Sequence, residues 1–191
     1  MRSNIEQYKV HIAKQKMLGV KDFRYSIDEE NDKIIIEKYI GKGGIVTIPL
    51  FVTGVQDGVF DGVDKDLKVI YDGVQIEDMS KLFRNYKGQK LDLSDFHTKN
   101  VKNMTGMFDS CRGLKELDLS SFDTKQVERM FGMFVNCESI EKININNLDT
   151  SRVADMGCMF MSCTSLKSLD LSNFNTSKAE SMFGMFFVQR S

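Results

Sequence analysis

Residues 101–124 read VKNMTGMFDSCRGLKELDLSSFDT. Two periodicities meet in this stretch. Val101, Met104, Met107 and Phe108 stand at i, i+3, i+6 and i+7, the spacing of one apolar helix face. Leu117, Asp118 and Leu119 alternate with period two, which predicts a short strand with both leucines inward and the aspartate outward. Asp123-Thr124 closes the stretch with residue types that accept hydrogen bonds from free helix N–H groups, so it reads as the cap of the next helix.

The stretch recurs along the chain. Met-Phe occurs at Met107-Phe108, Met133-Phe134, Met159-Phe160 and Met185-Phe186, each 26 residues after the last, with a weaker copy at Leu82-Phe83. Met79, Met104, Met130, Met156 and Met182 precede these pairs by three. Leu91-Asp92-Leu93, Leu117-Asp118-Leu119, Ile143-Asn144-Ile145 and Leu169-Asp170-Leu171 form a second column. Phe96, Phe122, Leu148 and Phe174 form a third, and Cys111, Cys137 and Cys163 a fourth. Nine of the 12 methionines fall in these columns, so a skewed composition becomes a packing pattern. One short helix and one short strand per 26 residues predict an α/β leucine-rich-repeat solenoid, with a parallel β-sheet on one face and short helices on the other. Methionine suits such a core because it is unbranched and fills uneven gaps. The alternative is a Met-rich binding groove, and the alignment of Met with Phe and Val on one face favours the core.

Outside the tandem array the pattern loosens. Residues 79–191 form the regular repeats, residues 33–78 read as a hairpin followed by irregular early repeats, and residues 1–32 read as a helical cap, all within one continuous domain. Ser3 and Glu6 match a capping box and Gly19 is a stop, which predicts a helix over the first 19 residues. Its basic charge offers a membrane or an acidic partner as the alternative to a cap. Lys33–Ile40 and Ile45–Ile48 flank Gly41-Lys42-Gly43-Gly44 and predict a β-hairpin.

Composition bounds the function. The chain has 191 residues, 41% hydrophobic and 28% charged, as expected of a folded domain. A net charge of -1 argues against direct nucleic-acid binding. No apolar run reaches the length of a membrane span. No secretion signal is read at Met1, which points to a cytoplasmic location; the alternative is a bacterial cell surface, or secretion, with a truncated N-terminus. Two histidines leave little material for acid–base or zinc chemistry, and no nucleophile-elbow, metalloprotease, P-loop or dinucleotide motif occurs. Neither a cofactor nor a metal is expected. The cysteines lack C-x-x-C spacing and read as a buried, reduced ladder, which favours a reducing compartment.

The unit M-x-G-M-F-x-x-C-x-x-L-x-x-L-D-L-S-x-F-D-T resembles the BspA-like leucine-rich repeats of bacteria, of the type common in Mycoplasma and Listeria surface lipoproteins. Met104 to Thr124 is nearly a consensus copy, and the resemblance covers about residues 79–188. Val46 to Leu67 looks like the related Treponema-type repeat, beginning Val46-Thr47-Ile48-Pro49. The resemblance implies an extended, non-catalytic surface for macromolecular contact, often in adhesion or host interaction.

The expected function is therefore protein binding without catalysis, as an intracellular binder or inhibitor, for example one encoded by a mobile element. A fragment or relative of a surface adhesin is the alternative. If the outer strand face binds the partner, Lys90, Glu116 and Lys142 with Asp92, Asp118, Asn144 and Asp170 line the interface. The aspartate column also has a structural reading, because it belongs to the repeat itself. Residues 57–78 carry seven acids, among them Asp57, Asp61, Asp64 and Asp66, against two lysines. They read as a solvated flank or as an acidic patch for a basic protein surface. The pattern runs out at Phe186-Phe187-Val188, so Met182, Met185, Phe186 and Phe187 are expected to meet another chain, as in a homo-oligomer.

Overall fold

The computed structural model describes residues 20–28, 30, 33–50 and 52–188. Among these lie one 3-10 turn, Val20–Asp22, and eight strands: β1 (Phe23–Asp28), β2 (Lys33–Tyr39), β3 (Gly44–Thr47), β4 (Gly54–Val55), β5 (Leu67–Ile70), β6 (Leu91–Asp92), β7 (Glu116–Asp118) and β8 (Lys142–Asn144). The repeat behaves as a coil. Leu117 and Leu119 are buried while Glu116 and Asp118 are exposed, the alternation read from the sequence. The strand ends where the Ser120 N–H donates to Asp118 Oδ1 at 2.9 Å. This side-chain turn is a common use of Asp, whose short carboxylate reaches the amide two residues on. Parallel register joins β7 to β8 at Glu116↔Lys142, Leu117↔Ile143 and Asp118↔Asn144. A second parallel pairing, β3 to β5 to β6, precedes it. The expected sheet is thus two short parallel sheets, with no pairing assigned between β6 and β7.

The short helices expected on the other face are not present, and this corrects the α/β assignment. In place of a helix, residues 105–110 and their copies at 131–136 and 157–162 are runs of turns. Alternate N–H groups serve two purposes. Those of Met104, Gly106, Phe108 and Ser110 donate to the carbonyls of Arg129, Phe131, Met133 and Val135 on the next coil, at 2.9, 2.9, 2.9 and 2.8 Å. Those of Met107, Asp109 and Cys111 close tight turns onto the carbonyls of Met104, Gly106 and Phe108, at 3.1, 2.9 and 3.2 Å. An α-helix would keep every N–H bond inside the segment, four residues back. Here φ turns positive every fourth residue, at Gly106 (57°) and Ser110 (59°), then at Gly132 (57°) and Asn136 (58°). That left-handed conformation stops helix growth and suits glycine, which has no Cβ to clash. The side-chain spacing of a helix survives, because Met104, Met107, Phe108 and Cys111 are all fully buried. Isolated parallel bridges run alongside, from Asp78 to Asn103, Arg129, Asp155 and Ser181.

Inside the coils, like residues stack on like. Phe83, Phe108, Phe134, Phe160 and Phe186 form one column, with successive ring centroids 5.5, 5.6, 5.3 and 5.6 Å apart and planes within 8° of parallel. Each such pair contributes about 0.5–1.5 kcal/mol beyond the area it buries. The buried thiols of Cys111, Cys137 and Cys163 donate to the carbonyls of Phe83, Phe108 and Phe134 at 3.0, 3.1 and 3.1 Å. Buried Thr98, Thr124 and Thr150 donate to the carbonyls of Asp123, Asp149 and Asn175 at 2.9, 2.9 and 3.0 Å. Up to Cys163, the methionine, phenylalanine and cysteine columns therefore belong to the core rather than to a Met-rich groove.

The upstream region differs from its reading in two ways. Lys33–Ile40 and Ile45–Ile48 do not pair as a hairpin. β2 pairs instead with β1, antiparallel, and β3 joins β5 in parallel. The Gly41–Gly44 turn thus carries the chain from one sheet to another. The helical cap is also corrected where residues 1–32 are described: Val20–Asp22 makes one tight turn and Phe23–Asp28 is a strand. The helix expected over the first 19 residues lies outside the described residues.

Candidate functional site

The outward residues of β6, β7 and β8, continued by residues 168–170, floor a groove of about 860 Å³. Parallel register sets Glu116 beside Lys142 and Asp118 beside Asn144, and the repeat places Lys90 and Asp92 before them and Ser168 and Asp170 after, in two rows across the coils. One row is Lys90, Glu116, Lys142 and Ser168. The other is Asp92, Asp118, Asn144 and Asp170, and Gln89, Lys115 and Asn146 complete the polar lining. All seven strand-face residues singled out in the sequence line this groove. Gln89 and Lys115 were missed, because each lies one residue before the row that the strand alternation identifies.

The aspartate row has a structural task and a remainder. Asp92, Asp118 and Asp170 each accept the N–H two residues on, from Ser94, Ser120 and Ser172, at 2.9 Å through Oδ1. The backbone N–H of Ser94 and its hydroxyl hold the Asp92 carboxyl below its usual range, and Ser172 does the same for Asp170. Asn144 fills the same role in its coil, accepting the Asn146 N–H at 3.4 Å, and its own amide donates to Asp118 Oδ1 at 2.9 Å. Lys68 sits 3.7 Å from Asp92 Oδ2. Asp118 Oδ2 has no hydrogen bond or ion pair among the described residues, and Asp170 makes no ion pair among them.

On the flanks several charges are consumed between coils. Lys81 meets Asp57 at 2.6 Å, the Asn85 amide meets Asp61 at 2.7 Å, and the N–H groups of Gln89 and Lys90 meet Asp66 Oδ1 at 3.0 and 2.9 Å. Asp64 lies 3.6 Å from its neighbour Lys65. Three of the four acids singled out upstream therefore tie one coil to the next, and the four do not gather at the groove. Arg84–Asp109, Lys102–Glu77 and Arg112–Glu138 continue the pattern at 3.2, 2.9 and 3.1 Å. Lys90, Lys115, Glu116 and Lys142 make no ion pair among the described residues.

A smaller cavity of about 260 Å³ lies beside Asp72, His97, Thr98, Ser121 and Asp123. His97 Nδ1 lies 2.9 Å from Asp72 Oδ1, so His97 joins two coils rather than capping a turn as Asp123 does. Ser121 donates its hydroxyl to the Leu93 carbonyl at 2.7 Å and so is not poised against His97. Among the described residues no group of three His, Cys, Asp or Glu side chains could hold a metal ion. No helix among them is long and apolar enough to cross a membrane.

At the last coil Met185 is buried and Phe186 rests one face on Phe160, while Met182, Phe183, Phe186 and Phe187 are exposed.

The repeat carries a family signature. Residues 58–143 and 120–191 match the family described as "Mycoplasma protein of unknown function, DUF285". The chain belongs to this family. The match takes in β5 to β8 and every coil that floors the groove. No curated protein matches the chain. Among solved structures it is similar to the T. pallidum leucine-rich-repeat protein, at 16% identity over 78% of this chain and 89% of that one, with a TM-score of 0.32.

Proposed function

We propose that this repeat protein is a non-catalytic scaffold that binds another protein through the outer strand face of its coils. One observation carries the reading. Several flank charges are paired coil to coil, as in Lys81–Asp57 and Lys102–Glu77, whereas Lys90, Glu116, Lys142 and Asp170 stand together on an open groove without an ion pair of their own among the described residues. A repeat array keeps its core and presents a long surface, and charge rows on such a surface select a partner by complementarity. The buried thiol column supports a reducing compartment as the place of action, in keeping with an intracellular binder.

The test is affinity capture from the native host with two baits, the unaltered protein and the charge-reversed variant Lys90→Glu/Glu116→Lys/Lys142→Glu. The expected result is one protein retained by the first and lost at least tenfold by the second, with equal melting temperatures for the two baits. Equal recovery by both baits would remove the strand face from the reading.

A further inference from the structure

We infer that the groove takes a helical segment of the partner, lying across the strands, with basic residues on the flank over Asp92, Asp118 and Asp170 and acidic residues on the flank over Lys90 and Lys142. This rests on the strand-face reading above and names the partner's chemistry.

The geometry comes from three repeats. β7 and β8 pair in parallel, a spacing of about 4.8 Å, and the stacked repeat carries one row side chain per coil at about that interval. A helix laid across the strands returns a side chain to the same flank about every 5.4 Å. A strand laid the same way returns one about every 6.8 Å, two residues at roughly 3.4 Å each. Over the three intervals from Asp92 to Asp170 the helix gains about 2 Å on the coils and the strand about 6 Å. Lysine and arginine stems absorb the first mismatch and not the second. Within one coil the two rows are two residues apart, about 6.8 Å, which the two lower flanks of a helix about 10 Å across can straddle.

The charges then fix orientation. Asp118 and Asp170 each commit Oδ1 to the turn, and both carboxylates line the groove with no ion pair among the described residues. Asn144 breaks the aspartate row at its third position, so the basic flank needs charges opposite the first, second and fourth positions: i, i+4 and i+11, with a neutral residue at i+7. Glu116 breaks the lysine row, so the acidic flank needs two acids about two turns apart. A helix with its flanks exchanged would set lysine against lysine and carboxylate against carboxylate.

The protein itself shows how to test the charge without the turn. Asn144 holds its turn with a neutral side chain, so Asp118→Asn/Asp170→Asn keeps both Oδ1 acceptors and removes both charges. The probe is an alanine-based helical peptide of 20 residues with lysines at i, i+4 and i+11 and two glutamates on the opposite flank. Two further peptides serve as comparisons: one of the same composition with the flanks exchanged, and one in which a central alanine is replaced by a D-proline that forbids the helix. Amide chemical shifts of the full chain are followed during titration at two salt concentrations. The expected result is shifts at residues 89–92, 115–118, 142–146 and 168–170, with affinity at least tenfold weaker for the exchanged peptide, the D-proline peptide and the Asp118→Asn/Asp170→Asn variant. Equal binding of the D-proline peptide in the groove overturns the helix and leaves the strand-face reading intact. Equal binding of the exchanged peptide, or no binding of any, overturns the charge assignment. Shifts confined to residues outside the groove overturn the strand-face reading as well.

Discussion

Thr124 and Asp149 hold each other across two coils: the Thr124 hydroxyl donates to the Asp149 carbonyl at 2.9 Å and accepts the Asp149 N–H at 2.8 Å. One side chain thus satisfies both polar groups of one backbone residue, in a site where Thr124 is 1% exposed. Thr150 repeats the arrangement with Asn175, at 3.0 and 2.7 Å. Thr124→Val keeps the shape and leaves both groups of Asp149 without that partner. Stranding a buried polar group costs about 1–3 kcal/mol. Thr124→Val is expected to lose about that much in a urea titration, and Thr124→Ser, which keeps the hydroxyl, less than half of it. Equal losses for the two variants would assign the effect to packing instead.

Cys158 occupies a place that its own repeat normally gives to glycine. Its φ is 55°, and Gly106, Gly132 and Gly184 hold the same position at 57°, 57° and 62°. A non-glycine residue in the left-handed region carries a cost of roughly 1 kcal/mol or more. Cys158→Gly removes that cost and loses only a long thiol contact to the Phe183 carbonyl at 3.6 Å. Thermal unfolding is expected at a higher temperature for Cys158→Gly and at a lower one for Gly132→Ala, whose new Cβ would also lie 3.3 Å from Val135 Cγ1.

These glycines mark where the sequence was readable and where it was not. The period of 26, the inward leucines and the columns of Phe, Met and Cys follow from residue spacing. So does the strand face with its two charged rows, because alternation assigns Glu116 and Asp118 to one side. The helix reading failed because Met104, Met107, Phe108 and Cys111 turn inward at helix spacing in either backbone. Side-chain period cannot separate a helix from turns that alternate their bonds between coils. The discriminating signal was Gly106, Gly132 and Gly184 in mid-segment, where a helix would lose about 1 kcal/mol relative to alanine. The hairpin failed for a different reason: Gly41–Gly44 marks a turn, but not which strands its two sides join.

Carboxylates held by turns give the fold an acid limit. Asp149 titrates below its usual range because the Ser151 hydroxyl and N–H bind its charged form. Asp92 and Asp170 are lowered likewise, first by the backbone N–H groups of Ser94 and Ser172. With the folded value depressed, the unfolded chain takes up protons first as the pH falls. The stabilisation is therefore complete above the unfolded carboxylate value, about 3.9, and is lost as the pH falls through the lower folded values. Melting temperature is expected to hold steady from pH 7 to about 5 and to drop below about 4. Asp149→Asn keeps an acceptor for Ser151 and should shallow the drop; an unchanged acid limb would remove Asp149 from its cause.

Burial separates the four thiols by reactivity. The Cys163 thiol is pushed up to about 12, first by burial. Cys137 is raised well above the ordinary thiol range by its hydrogen bond with Cys111 and then by burial. Cys111, Cys137 and Cys163 are buried, and only Cys158 is partly open. The thiolate is the reacting form, so a thiol kept protonated and out of solvent reacts slowly. Labelling of the native protein with a maleimide at pH 7.5 is expected to modify Cys158 first. The other three should follow at the rate of unfolding and become fully labelled in 6 M guanidinium. Cys158→Gly should then show almost no fast labelling. Rapid modification of Cys137 in the native protein would mean that the coils part there often enough to expose their core.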